Sequence, residues 1–359
     1  ERFLEVNLGK DNNITTGKIY QSVIENERNF YYKGRDAEMF PDIINEIKRR
    51  IYKVSKGYDF CLCEIGGTTG DLENLPFLHA AREIGRENKA LYLMVTFLPF
   101  LQNIGELKTK PTQHAVVALR QVGINPDFII TRNQVPIGQN QIDTISQRCF
   151  VDKEDIFDNP DTDYIADIPL RFAKEKLAEK ILDKLHLQPL PAKISGWKKY
   201  VSNLKTSKNP IKVAIVGKYV FHGSHEHKDV YVSVIEAIRH AAAKLSIKVE
   251  ILTITGDEVI ANPIKLKGIN GIIVPQGWGS RGAKGLIDTI KYARTHKVPY
   301  LGLCFGLQLA TIEYARNVAK LKNANSIEID ESTSFPVINL MEDQKEILAK
   351  GRYGGTIRL

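Results

Sequence analysis

Cysteine, methionine and tryptophan are scarce, with four, three and two residues in a chain of 359. The four cysteines, Cys61, Cys63, Cys149 and Cys304, are too few and too scattered for a disulfide framework. Cys61-Leu62-Cys63 also lacks metal-ligand spacing. No apolar run reaches the ~18 residues of a membrane span, and nothing at the start reads as a signal peptide. A cytoplasmic protein with no membrane role is the expectation. The net charge is +8, yet no basic stripe is interleaved with aromatics, so nucleic acid is not an expected partner and small polyphosphates suit the charge better. The want of a G-x-G-x-x-G after a strand, with an acid following, argues against a nicotinamide dehydrogenase.

The length suggests two domains, each able to bury a core, and the succession of apolar strands and helical faces suggests α/β throughout. The first half is organised around Phe60-Cys61-Leu62-Cys63-Glu64-Ile65-Gly66-Gly67-Thr68-Thr69-Gly70-Asp71-Leu72-Glu73. Its apolar start predicts a strand buried on both faces, which places Glu64 at the carboxyl end, where ligands of open α/β sheets collect. The glycines let backbone approach a ligand, and Glu64 suits a Mg²⁺ carried in by a nucleotide.

Around this stretch, Lys10 to Lys18 is a polar loop leading into a helix to about Arg28. Pro41 is expected to start a helix with Ile43, Ile44, Ile47 and Ile51 buried. Asn74 is placed to cap a helix from about Pro76 to Glu87, followed by a buried strand at Leu91–Leu98. In Gly105–His114, Pro111 fits the first position of a helix, so Lys108 and Lys110 stand at its positive end beside free N–H groups. That is an anion site, with a triphosphate as the expected ligand. A strand at Asp127–Thr131 completes the unit.

The Lys10–Lys18 loop, the runs Glu64–Glu73 and Lys108–His114, Asp161-Thr162-Asp163 and Ile168-Pro169 together resemble the amidoligase domain of the CTP synthase family. The resemblance implies a parallel-sheet domain like those of P-loop NTPases, which aminates UTP to CTP with ATP and glutamine. It implies Glu64 as a Mg²⁺ ligand, and Asp71, Leu72 and Glu73 at the pyrimidine nucleotide. Lys108, Thr109, Lys110, Pro111, Thr112 and Gln113 would hold the UTP triphosphate, and Thr162 would meet ATP's adenine. CTP as a feedback ligand and a homotetramer, with filaments as a further assembly, are also implied.

Leu187-Gln188-Pro189-Leu190-Pro191 breaks the helix ending near His186, and Lys205–Pro210 is short and polar. Residues 1–186 are therefore read as the amidoligase domain, 187–210 as a linker and 211–359 as a second domain. Trp197 and Tyr200 are expected to pack the linker helix between domains. Strands are then expected at Val213–Gly217, Val249–Thr253, Gly271–Val274 and Tyr300–Leu303, with a glycine-rich loop at Pro275–Gly282.

Gly302-Leu303-Cys304-Phe305-Gly306-Leu307-Gln308 is G-x-C-x-G between a strand and an apolar helix. Glycines permit the sharp turn, the thiol is lifted above the sheet, and the Phe305 amide faces a developing oxyanion. This half resembles a class I glutamine amidotransferase. Cys304 would be the nucleophile; Gly277 and Phe305 would flank the oxyanion and glutamine, with Gly306 and Leu307 beside them. Gln308 and Glu328 would bind glutamine. His222, His225 and His227 are read as an exposed loop, not a metal site.

Several features depart from the family. Both ends are expected to be cut: the N-terminal phosphate-binding glycine loop is missing, and no histidine follows Cys304. Gln276 stands where members have glycine, a position read as costly if it needs a left-handed backbone. Glu38 and Asp42 bring two acids near the triphosphate site, and Thr144 falls where a basic residue is expected. These changes motivate an alternative, a non-catalytic relative that binds nucleotide or assembles into oligomers.

Overall fold

The computed structural model describes residues 3, 6–206, 208–219, 221–222, 225–226 and 230–341. The chain divides into two compact units between Ala192 and Lys193, inside the segment 187–210.

The first unit is built on three parallel strands, β1 (Leu93–Leu98), β2 (Phe128–Asn133) and β3 (Ile156–Pro160), side by side in that order. The central strand β2 buries Phe128, Ile129, Ile130 and Thr131 on both faces, as a mid-sheet parallel strand must. Helices α3 (Leu75–Glu87) and α4 (Lys110–Gln121) begin within one or two residues of the expected starts. Helix α5 (Gln139–Cys149) adds Ile145 and Cys149 to the core containing Val116, Leu119 and Ile129. Strand β3, with Asp158 and Pro160 inside it, carries no apolar run and gave no sequence signal; helices α6 (Ile168–Lys174) and α7 (Leu177–Lys184) follow it.

The expectation of a buried strand at Phe60–Glu64 is corrected. These residues form no strand and are exposed, Leu62 to 88%. Strand β1 is in consequence an edge: Met94, Thr96 and Leu98 are buried, whereas Leu93, Val95 and Phe97 face outward. An apolar run marks a preference for burial, but a strand forms only where a neighbour takes its N–H and C=O groups. Among the described residues none does.

Helices α1 (Thr16–Arg28) and α2 (Ile44–Ser55) pack Ile19, Ile44 and Ile47 against Ala80 of α3. Regular helix thus starts three residues beyond Pro41, after an irregular turn at Met39–Ile43. That turn buries Asp42, whose two carboxylate oxygens meet the Arg35 guanidinium at 2.8 and 2.7 Å while the Glu38 N–H donates at 2.9 Å. Asp42 is a neutralised structural acid rather than a free charge repelling phosphate.

Glu46 is similarly placed: burial opposes its charge, but hydrogen bonds from Arg49 and Arg50 outweigh it and hold the carboxyl at about 2. With a folded pKa below the unfolded one, the stabilisation is complete above about pH 4.5 and is lost as pH falls toward 2. Glu46→Gln is expected to flatten the acid limb of a stability–pH curve between those values, measured by urea midpoints.

The second unit opens with α8 (Ser195–Thr206), which packs on α9 (Val232–Leu245): the Trp197 and Tyr200 rings lie 5.3 Å apart, and Tyr200 meets His240 edge-on at 4.8 Å. The aromatics expected to bridge domains thus include a Tyr200 ring that seats α8 inside this unit. Four parallel strands follow, β4 (Lys208–Gly217), β5 (Ile247–Thr255), β6 (Gly271–Val274) and β7 (Tyr300–Gly302), in the spatial order β7-β6-β4-β5. The chain runs from β4 outward to β5, then returns to β6 on the other side of β4. The crevice at the carboxyl ends of β4 and β6 is therefore the switch point at which such sheets bind ligands. Helix α10 (Gly256–Ala261) adds Val259 to the main core, which α11 (Ala283–Thr295) and α12 (Phe305–Asn317) close with Leu286, Ile290, Leu309 and Ile312 against Val216, Ile272 and Val274.

His222 and His225 lie on a two-residue antiparallel ladder, and His227 lies outside the described residues. No helix among the described residues is long and apolar enough to cross a membrane.

Candidate active site

Cys304 joins β7 to α12 with φ 53° and ψ −104°, a conformation L-residues rarely adopt. Two glycines make it possible. A Cβ on Gly306 would stand 2.0 Å from the Val274 carbonyl oxygen, and one on Gly302 would stand 2.6 Å from the Gly306 carbonyl carbon. The turn is pinned by Leu303 N–H on the Val274 carbonyl at 2.9 Å, Gly306 N–H on Leu303 at 3.0 Å, and Leu307 and Gln308 N–H on Cys304 at 3.0 and 3.2 Å.

The Phe305 N–H, at the first position of the helix, finds no such acceptor among the described residues, unlike the three amides that follow it. The Phe305 ring is buried, while Cys304 and Leu307 are exposed. An accessible thiol beside an open helix-terminal amide is the arrangement that the G-x-C-x-G spacing predicts.

The loop after β6 lies over this elbow. A Cβ on Gly277 would come within 3.1 Å of the Phe305 ring, so Gly277 and Phe305 are in direct contact. Gln276 is not in the left-handed region, which only Gly279 and Gly282 of this loop enter, at φ 73° and 69°. The cost expected for a non-glycine residue at position 276 is therefore absent. Glu328, in the turn after Asn325–Ser326, accepts a hydrogen bond from the Gly279 N–H through its carboxylate. Sequence reasoning missed Lys218 and Tyr231 here. The signal for Lys218 was its position, directly after the predicted strand ending at Gly217.

Of the residues expected at the nucleotides, Lys108–Gln113 come after β1 and Thr162 after β3, on the carboxyl side of those strands. Helix α4 starts at Lys110 with Thr109 at its N-cap. The Gln113 N–H bonds the Thr109 carbonyl at 3.1 Å, and the Gln113 side chain bonds the Thr109 hydroxyl, also at 3.1 Å. Pro111 has no N–H, so the amides of Lys110 and Thr112 are left for an anion. The Thr112 hydroxyl is spent in the core on Thr96 at 3.0 Å, so only its backbone can contribute. Lys108 is paired with Glu106 at 2.8 Å on the surface.

The acidic loop turns on Gly67 and Gly70, at φ 92° and 105°. Asp71 closes it, accepting the Thr68 N–H on its carboxylate at 3.2 Å and donating its own N–H to the Thr68 carbonyl at 3.1 Å. A Cβ on Gly70 would lie 3.6 Å from that of Ala118, which sets this loop against α4. Leu72 and Glu73 are exposed.

Glu64 is an exposed carboxylate, and no group of three or more metal-binding side chains gathers among the described residues. A lone hard-oxygen donor fits Mg²⁺, which takes one or two carboxylates and completes its shell with phosphates and water. Thr162 follows β3; its hydroxyl donates to the Tyr164 carbonyl at 3.3 Å and accepts the Tyr164 N–H at 3.4 Å. Thr144 returns its hydroxyl to the Asn140 carbonyl of its own helix at 2.7 Å.

Residues 1–187 match the family model of the CTP synthase N-terminus, and residues 226–347 match that of class-I glutamine amidotransferases. The whole chain aligns with CTP synthases of Caldanaerobacter subterraneus (45% identity), Methanocaldococcus jannaschii (44%) and Bacillus subtilis (43%). It spans 67% of the length of each. A solved glutaminase domain of Trypanosoma brucei CTPS with bound acivicin is 32% identical, over 37% of this chain and 51% of that one, at a TM-score of 0.34. Likeness over the entire chain gives no support to a non-catalytic relative as the alternative. The chain belongs to the CTP synthase family.

Proposed function

We propose that the two units divide the amination of UTP between them, the first activating the pyrimidine with ATP and the second supplying ammonia from glutamine. The observation that carries this reading is the backbone of Cys304, held in a costly conformation by Gly302 and Gly306 where a nucleophile is required. Cys304 attacks the glutamine amide carbonyl, and the amides of Phe305 and Gly277 stabilise the oxyanion. Gln308 and Glu328 orient glutamine, with Gly306 and Leu307 beside it. Collapse of the tetrahedral intermediate expels ammonia, water hydrolyses the remaining glutamyl thioester to glutamate, and the ammonia reacts as the unprotonated amine, whose lone pair is free.

In the first unit the Lys110 and Thr112 amides, with Lys108, Thr109, Pro111 and Gln113 around them, receive the UTP triphosphate. Asp71, Leu72 and Glu73 line the pyrimidine side, and Thr162 meets the adenine of ATP. Phosphorylation of the uracil O4 turns a poor leaving group into a good one, which ammonia then displaces. Glu64 would hold Mg²⁺, which supplies charge neutralisation between phosphates. A homotetramer capable of forming filaments, CTP as a feedback ligand and a cytoplasmic location complete the reading.

The direct test is exposure of the chain to 6-diazo-5-oxo-L-norleucine, followed by peptide mass mapping. Saturable modification confined to Cys304 is expected, and its absence would sink the glutaminase reading. For the first unit, UTP with Mg²⁺ is titrated calorimetrically. Lys108 must leave Glu106 to meet a phosphate, so Glu106→Gln is expected to tighten UTP by roughly 2- to 5-fold and Lys108→Met to weaken it by roughly 10-fold.

A further inference from the structure

Lys218, the first residue beyond β4 at the switch point of the second sheet, has no role in the assignments above. Its ammonium donates to the carbonyl oxygens of both Trp278 and Gly279, and it lies 4.7 Å from the centre of the Phe305 ring. Its methylene stem closes on Gly277, where a Cβ would stand 2.9 Å from Lys218 Cδ. One side chain therefore touches the loop, the elbow and the glycine between them.

The backbone of Lys218 extends the same contact. Its N–H donates to the Tyr231 hydroxyl at 3.1 Å, and that hydroxyl donates to the Gln276 carbonyl at 3.5 Å. Because a peptide unit is planar and trans, fixing the direction of the Gln276 carbonyl fixes the opposite direction of the Gly277 N–H. The next turn is gripped from two sides, its carbonyls by Lys218 and the Gly279 N–H by Glu328. Burial works against the charged form of Lys218, and the nearby Glu328 carboxylate supports it. A partly desolvated ammonium aimed at backbone carbonyls is costly unless the loop takes this one shape.

We infer that Lys218 is a positioning residue of the glutaminase half: its ammonium holds the Gln276–Gly279 loop on Phe305, so that the Gly277 amide is preset for the oxyanion formed beside Cys304. The inference rests on the glutaminase reading above. Lys218 touches neither glutamine nor the reacting atoms; it acts through the loop.

The test compares two reagents at one thiol. Capture of Cys304 by 6-diazo-5-oxo-L-norleucine uses the oxyanion site, because its ketone replaces the amide carbonyl; capture by iodoacetamide does not. Lys218→Met is expected to lower the maximal rate of diazoketone capture roughly 10- to 100-fold while leaving the iodoacetamide rate at Cys304 within about 2-fold. Lys218→Arg, which keeps a cation with several donors, is expected to recover much of the loss. Lys212→Met, at a surface position of the same strand facing Glu250, should change neither rate.

Equal slowing with both reagents would show a merely structural role, and no slowing with either would show that the loop holds itself. Either result overturns the inference. If Lys218→Met fails to fold, Lys218→Gln is read by the same ratio. A parent chain that the diazoketone does not capture at all overturns the glutaminase reading and this inference with it.

Discussion

Cys304→Ala is expected to abolish covalent capture of glutamine-like electrophiles, lowering the rate of modification of the chain at least about 1,000-fold. The size of the effect follows from chemistry that no neighbour can replace. Cys61 and Cys63 are also exposed, with sulfurs 3.7 Å apart, but they sit in the unpaired segment before Glu64 and have no elbow around them. Cys149 is buried in the core of the first unit. Peptide mapping after brief exposure should therefore find Cys304 modified in the parent chain and no site of comparable rate in Cys304→Ala. Persistent fast capture at another cysteine would show that the selectivity does not come from the elbow.

The second large effect is structural. In Gly306→Ala the added methyl group would stand 2.0 Å from the Val274 carbonyl oxygen and 3.1 Å from the Val274 Cβ. Both neighbours belong to β6, mid-sheet and buried, so neither can retreat as a flexible side-chain tip would. Helix α12 must lift from the sheet, opening the packing of Leu309 and Ile312 that continues from the same turn. A loss of roughly 3 kcal/mol or more is expected, lowering the Tm of the second unit by roughly 6–12 °C. Diazoketone capture should fall as well, because the Phe305 amide moves with the helix. A melting point within a degree or two of the parent would mean that the elbow tolerates a side chain and that its glycine is not required by space. Cys304→Ala is the useful contrast, since it removes reactivity with little change in packing.

Much of this protein was legible before any coordinates. The strands of the second unit and the turn at Cys304 follow from local features: continuous apolar runs, glycines at fixed offsets, and the need of a nucleophile for a sharp strand-to-helix corner. The start of α4, proposed above for the triphosphate, follows from Pro111 and the unbonded amides of any helix beginning. Each depends on a few consecutive residues, so the sequence by itself determined it.

Tertiary structure decided what depends on partners remote in the chain. Phe60–Cys63 reads as the most buried of strands yet lies exposed, because pairing needs a neighbouring edge and apolar content cannot state whether one is present. Asp42 reads as an unwelcome charge yet is cancelled by Arg35, seven residues away across an irregular turn. Gln276 reads as strained yet keeps an ordinary backbone, because the left-handed turns fall at Gly279 and Gly282 instead. Lys218 carries no local signal beyond its place after a strand, and only the return of β6 beside β4 brings the carbonyls of Trp278 and Gly279, sixty residues further on, to its ammonium. Composition and spacing specify which chemistry a turn can carry; the order of strands in the sheet determines which turns meet.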